Sequence, residues 1–273
     1  MKNTEQPQKS NRRTIVSYVL RSGRLSSRLE AAWRRYSGIY MLDLPRGEGS
    51  PLSVAQNLQL DQEAADRIWG RRAPLTVEIG SGQGENVVAA ARRHPERNYL
   101  ALEVYRPGLA HTMLMAGKEG LTNLRLAQVN APDLLEHLAV NLVDELWTFF
   151  PDPWPKTKHH KRRLIQPALA DAVVSCLQVG GLWRIATDIE DYALHIHEVL
   201  DNHPGLRNLG NRTVRLPLGH VGKGTAAMAE DMPHGDFVES KRFEGRIVTN
   251  FERKGMQAGR TIHDLTYQAV AVG

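Results

Sequence analysis

Cysteine is nearly absent from the 273 residues, with Cys176 standing alone. A single thiol excludes any disulfide within the chain and any zinc site built from several thiolates, and it fits a reducing compartment, so the expected location is the cytoplasm. No apolar run approaches the roughly 20 residues of a membrane-spanning helix, and the N-terminus is too polar for a secretory signal. No membrane association is expected. Internal repeats and low-complexity blocks are also missing. Acid is scarce at the start: residues 1–40 hold nine Lys/Arg against only Glu5 and Glu30, a net charge of +7, whereas the whole chain carries +5. The rest therefore sums to −2. A second basic concentration, Lys156, Lys158, Lys161, Arg162 and Arg163, stands far along the chain. Base gathered in two places points to a polyanionic partner.

From Pro74 onward, short β-branched or apolar runs alternate with helical patterns. The runs are LTVEI (75–79), YLALE (99–103), LRLAQ (124–128), LWTFF (146–150) and LWRIA (182–186), with starts 22 to 36 residues apart. That spacing is one strand plus a crossover helix, which predicts an α/β fold with a Rossmann-like, doubly wound, mostly parallel sheet. Helices are expected at 85–93, 106–120, 132–139 and 189–202, and RIVTNFE (246–252) reads as a late strand. Residues 1–40 form a basic N-terminal extension, 41–73 a linker with a lead-in helix, 74–273 the main domain, and 203–242 a long polar, glycine-rich excursion.

Open parallel sheets bind ligands at the carboxyl ends of their strands. The first predicted strand runs into Glu78 and a loop containing Gly80, Gly82 and Gly84. The second ends at Glu103, the third is followed by Asn130, the fourth by Asp152 and the fifth by Asp188. A glycine loop lets a ligand approach the backbone closely, and an acid 23 residues past Gly80 stands where a carboxylate meets ribose hydroxyls. The spacing is Gly-x-Gly-x-Gly, not the Gly-x-Gly-x-x-Gly that sits beneath a pyrophosphate. A cofactor without phosphate, S-adenosylmethionine, suits it, with Glu78 facing its cationic groups and Asn130 the adenine edge. Glu103 also reads as a helix cap, and Asn130 as a turn residue before Pro132.

The segment FFPDPWPKTKHHKRR (149–163) holds a carboxylate, Asp152, between Pro151 and Pro153. Proline fixes its own φ and biases the preceding residue toward extended geometry, so Phe150 and Asp152 are both constrained, and a constrained charge suits a transfer site. Trp154 either stacks on a base or plugs the strand end. The basic run beside Asp152 reads as a phosphate-binding rim. His159-His160 and His195-x-His197 lack a plausible set of partners for a metal, so none is expected.

With these residues in view, the chain resembles the bacterial tRNA (guanine-N7)-methyltransferase family. The resemblance lies in RTIVSYVLRSGR (13–24), VEIGSGQGE (77–85), ALEVYRPG (101–108), FFPDPWPKTKHHKRR (149–163), ATDIEDYA (186–193) and RIVTNFERKGMQAGR (246–260). It implies a class I S-adenosylmethionine-dependent methyltransferase domain at 74–273 that methylates N7 of a tRNA guanine, guanine 46 of the variable loop. Glu78, Glu103, Asn130 and Asp152 would then line the cofactor site with the glycines, and Asp152 would be catalytic. Lys156, Lys158, His159, His160, Lys161, Arg162, Arg163, Asp188, Thr249, Asn250, Phe251 and Glu252 would meet the tRNA. Asn130, Ile247 and Asn250 depart from the aspartate, proline and lysine common in the family. An exocyclic-amine methyltransferase and a silent RNA-binding protein of the same fold remain alternatives, and a monomer and a homodimer are both open.

Overall fold

A computed structural model of the protein describes residues 17–18, 23–220 and 232–271. Most of the basic extension before Gly23 lies outside them. The helices are α1 (Ser27–Tyr40), α2 (Gln62–Trp69), α3 (Glu85–Arg93), α4 (Arg106–Glu119), α5 (Ala131–Leu135), α6 (Pro167–Cys176), α7 (Glu190–Leu200) and α8 (Asn250–Gln257). The strands are β1 (Leu75–Ile79), β2 (Asn98–Glu103), β3 (Leu124–Gln128), β4 (Val143–Phe149), β5 (Leu177–Thr187), β6 (Leu206–Asn208), β7 (Arg212–Pro217), β8 (His234–Glu239) and β9 (His263–Ala269). Seven strands form one sheet in the order β3-β2-β1-β4-β5-β9-β6, in which β9 runs antiparallel to both neighbours. The expected α/β, mostly parallel sheet is therefore the observed one.

Side-chain alternation along the central strands builds a core on each face. Leu75, Val77 and Ile79 of β1 and Leu100 and Leu102 of β2 join the cluster beneath α2, α5, α6 and α7. Tyr99 and Ala101 point the other way, into the cluster with α3 and α4, which Tyr40 of α1 also enters. Thus α1 is part of the helical layer, although its sequence lies inside the basic extension. The excursion supplies β6 and the separate β7–β8 hairpin, whose Val214, Leu216 and Phe237 pack on Ala193 and Leu194 of α7.

The late motif differs from expectation. Residues 246–249 are not a strand but a loop leading into α8, whose first turn holds residues 250–252. Thr249 caps the helix, its hydroxyl accepting the Glu252 N–H at 3.2 Å. Thr249-x-x-Glu252 is the capping-box pattern, a stronger local signal than the β-branched pair Ile247-Val248.

Candidate active site

The chain crosses from one side of the sheet to the other between β1 and β4, so the connections after these strands diverge and leave a crevice at their carboxyl ends. A cavity of about 300 Å³ opens there. Gly80, Gly82, Glu103, Asn130 and Asp152 line it, with apolar walls from Ile79, Leu102, Val129 and Ala131. Glycine is required in the loop for two different reasons. Gly80 and Gly82 have φ of 71° and 57° with open space where a Cβ would stand, whereas a Cβ on Gly84 would collide with Thr112. Backbone without side chains thus faces the cavity.

Glu103 anchors this loop. Its carboxylate accepts the Gly82 N–H at 2.7 Å, the Val104 N–H at 2.7 Å and the Tyr105 N–H at 2.9 Å. Burial raises its pKa, the three N–H donors oppose that, and the Asp152 charge adds to the rise. Of the expected cofactor residues, Glu78 and Gly84 do not line the cavity; Glu78, one residue before the end of β1, is buried behind it. The Asn86 amide reaches one oxygen at 3.4 Å, and the other has no hydrogen-bond partner. Burial pushes its carboxyl up to about 8. Asn130 donates to Asp133 at 2.7 Å, leaving its amide oxygen and one N–H for a ligand.

Asp152 is exposed at the cavity rim. The turn that carries it is strained on both sides: Phe150 has φ 53° and Trp154 φ 44°, a region that side-chain-bearing residues enter at a cost of about 1–3 kcal/mol each. The extended geometry expected for Phe150 is not what forms. Its N–H is instead tied to the Ala186 carbonyl of β5 at 2.8 Å, and its ring packs on Phe251. The Arg246 guanidinium lies 5.4 Å from the Phe150 ring centroid, braced by ion pairs to Glu252 and Asp264. Trp154 donates its indole N–H to the Ser17 carbonyl at 3.0 Å, and Arg162 covers its ring at 3.9 Å. One face of that indole is therefore occupied.

The basic run divides in two. It forms a 3-10 helix at Thr157–Arg162, in which residues three apart share a face. Lys156, Lys158 and Lys161 are exposed. His160 and Arg163 point inward instead. Arg163 is buried and ion-paired to Asp191, and it donates to the Pro153 carbonyl at 3.0 Å, so it braces the Asp152 turn and offers no free guanidinium to a phosphate. His159 sits edge-on to Trp154.

The late motif divides similarly. Phe251 lines the cavity, Thr249 is the helix cap, and Asn250 is held by Glu85 at 3.0 Å. Glu252 is buried between Arg242 and Arg246, which hold its pKa low against the opposing effect of burial. Its charge is thus spent internally and does not face a substrate, contrary to expectation. Asp188, also buried, pairs with Arg260 at 3.0 Å. Sequence reasoning missed Tyr18, Tyr105 and Leu164 in the cavity wall, none of which stands in a polar pattern at a strand end.

A family model described as "Putative methyltransferase" matches residues 72–265. The tRNA (guanine-N(7)-)-methyltransferase of Bifidobacterium longum (strain NCC 2705) is 61% identical over 258 residues, spanning 94% of this chain and 90% of that protein. The chain belongs to the tRNA (guanine-N7)-methyltransferase family. A second relative of that name, from Paenarthrobacter aurescens (strain TC1), is 43% identical over 277 residues, covering 93% of this chain and 91% of its own. Among solved structures, the 16S rRNA methyltransferase KamB is similar at a TM-score of 0.47 and 15% identity, over 78% of this chain and 95% of that one. The matched span contains the glycine loop, the Asp152 turn and α8. Ser17 and Tyr18 reach the site from outside it.

Proposed function

We propose that this chain transfers a methyl group from S-adenosylmethionine to N7 of a guanine in tRNA, at position 46 of the variable loop. It would do so in the cytoplasm; among the described residues no helix is long and apolar enough to cross a membrane. The observation that carries the reading is the cavity of about 300 Å³ in which an open glycine loop, Glu103 and Asp152 meet, in a chain of this family.

The residues present fit the cofactor. Glu78 keeps a buried carboxyl oxygen without a partner, as a site for a cationic group does. Glu103 would take the ribose hydroxyls, the apolar walls the adenine ring, and Asn130 its polar edge. When bound, S-adenosylmethionine supplies an electrophilic methyl group on a sulfonium.

Guanine N7 presents a lone pair, so no proton must leave and no general base is needed. What the chain must do is align the purine and place negative charge near the cation it becomes. Asp152 is suited to this role, because its turn is fixed by two prolines, by the Arg163 brace and by the Phe150 backbone bond, and among the described residues no ion pair offsets its charge. Phe251, which lines the same cavity and packs on Phe150, offers a ring to the base. Lys156, Lys158 and Lys161 would hold the tRNA backbone.

The test is product analysis on unmodified tRNA with methyl-labelled S-adenosylmethionine. Label in 7-methylguanosine at position 46 supports the reading. Label in an amino-methylated nucleoside, or none in tRNA, overturns it.

A further inference from the structure

His220, in the bend after β7, meets two residues of α7, and none of the three lines the cavity. Its Nε2 lies 2.9 Å from Glu198, and the ring of His195 stands 6.2 Å from its own. His195 and Glu198 are three positions apart, so they share one face of the helix. One ligand atom from each of His195, Glu198 and His220 falls within 4.8 Å of the others. Two imidazoles and a carboxylate form a set that holds zinc with water in the fourth place, and ligand atoms about 3.3 Å apart would surround a tetrahedral ion with bonds of about 2.0–2.1 Å. Movements of an ångström or so would close it.

The surroundings are those of metal-binding histidines, whose second ring nitrogen donates to a carboxylate or a carbonyl. His220 Nδ1 is 2.7 Å from Asp191, and His195 Nε2 is 2.8 Å from the Ile165 carbonyl. With Nε2 protonated, His195 keeps its lone pair on Nδ1. A neighbouring set, His160, Asp191 and His220, is less suitable, because the Arg163 guanidinium already holds Asp191 and lies 3.1 Å from His160. A second cation there would have to compete with Arg163 for Asp191.

We propose that His195, Glu198 and His220 bind a divalent zinc ion, with Asp191 orienting His220. The ion would pin the bend after β7 to α7. Through Asp191 and Arg163 it would also brace the 3-10 helix that carries the exposed lysines. The expected absence of a metal came from histidine pairs within single segments; His220 joins them only through the fold.

The test uses untagged full-length protein, stripped with a chelator and dialysed against micromolar zinc, with bound metal measured by elemental analysis. About one zinc per chain is expected, and cobalt in its place should give the intense visible absorption of a four-coordinate site. His220→Ala and Glu198→Gln should each lower zinc affinity at least about tenfold, and Asp191→Asn by about 10–100-fold. Glu198 is exposed, so its variant folds irrespective of metal. Zinc should also raise the melting temperature of the parent protein but not of Glu198→Gln. Failure to retain zinc, or equal retention by the His220 and Glu198 variants, overturns the proposal.

Discussion

Replacing Glu78 with glutamine removes the buried carboxyl group that burial pushes up to about 8, leaving a side chain of similar shape that does not titrate. Between the ordinary value of 4.5 and about 8, the folded protein keeps this proton while the unfolded chain has lost it. The unfolded state therefore binds fewer protons in that window, and stability falls as pH rises across it. At about 1.4 kcal/mol per pH unit, the full displacement costs the native state up to about 5 kcal/mol above pH 8 and almost nothing below pH 4.5. Urea unfolding at a series of pH values should show the variant within about 1 kcal/mol of the parent at pH 5 and exceeding it by several kcal/mol at pH 8.5. The same residue should show up in binding. A cationic ligand favours the ionised carboxyl, so S-adenosylmethionine affinity of the parent should rise with pH up to about 8, and the variant should lose that slope. Parallel stability profiles for the two proteins, or a variant less stable than the parent at pH 8.5, would refute the assignment.

Glu103→Ala should weaken S-adenosylmethionine binding by about 1.5–3 kcal/mol; because the Gly82, Val104 and Tyr105 N–H groups lose their acceptor, calorimetry should also find a lower melting temperature, and an unchanged one would mean the loop does not depend on it. Lys158→Ala with Lys161→Ala should flatten the dependence of log tRNA affinity on log salt by up to about 1.5–2 units while leaving cofactor affinity alone. Arg163→Ala should leave that slope unchanged and instead destabilise the fold by about 3–5 kcal/mol, since Asp191 loses its buried partner; a flatter slope from this variant in a salt titration would contradict its internal role.

The sheet and its edge were legible because their signals are local. β1, β3 and α3 have the expected boundaries, since short apolar runs and the glycine punctuation fix them. The acids at strand ends were legible for the same reason. β9 was not, because its buried His263 and Asp264 look solvent-facing until Glu239 and Arg246, distant in sequence, neutralise them. Arg163 was misread within a charge run, since only the three-residue period of its helix separates an inward guanidinium from outward lysines. Glu252 was misjudged likewise: its sequence shows an acid near a motif, and its two arginine partners appear only once the loop before α8 has folded.

The most direct test of the account is the single-turnover rate of Asp152→Ala with saturating S-adenosylmethionine and tRNA. Asp152 is exposed and carries none of the turn's bracing bonds, so the variant should fold and bind both ligands. Methyl transfer should nevertheless slow by about two to three powers of ten, the effect of removing one preorganised charge. A rate within a few-fold of the parent would show that the carboxylate held between Pro151 and Pro153 does not stabilise the cation formed at the purine.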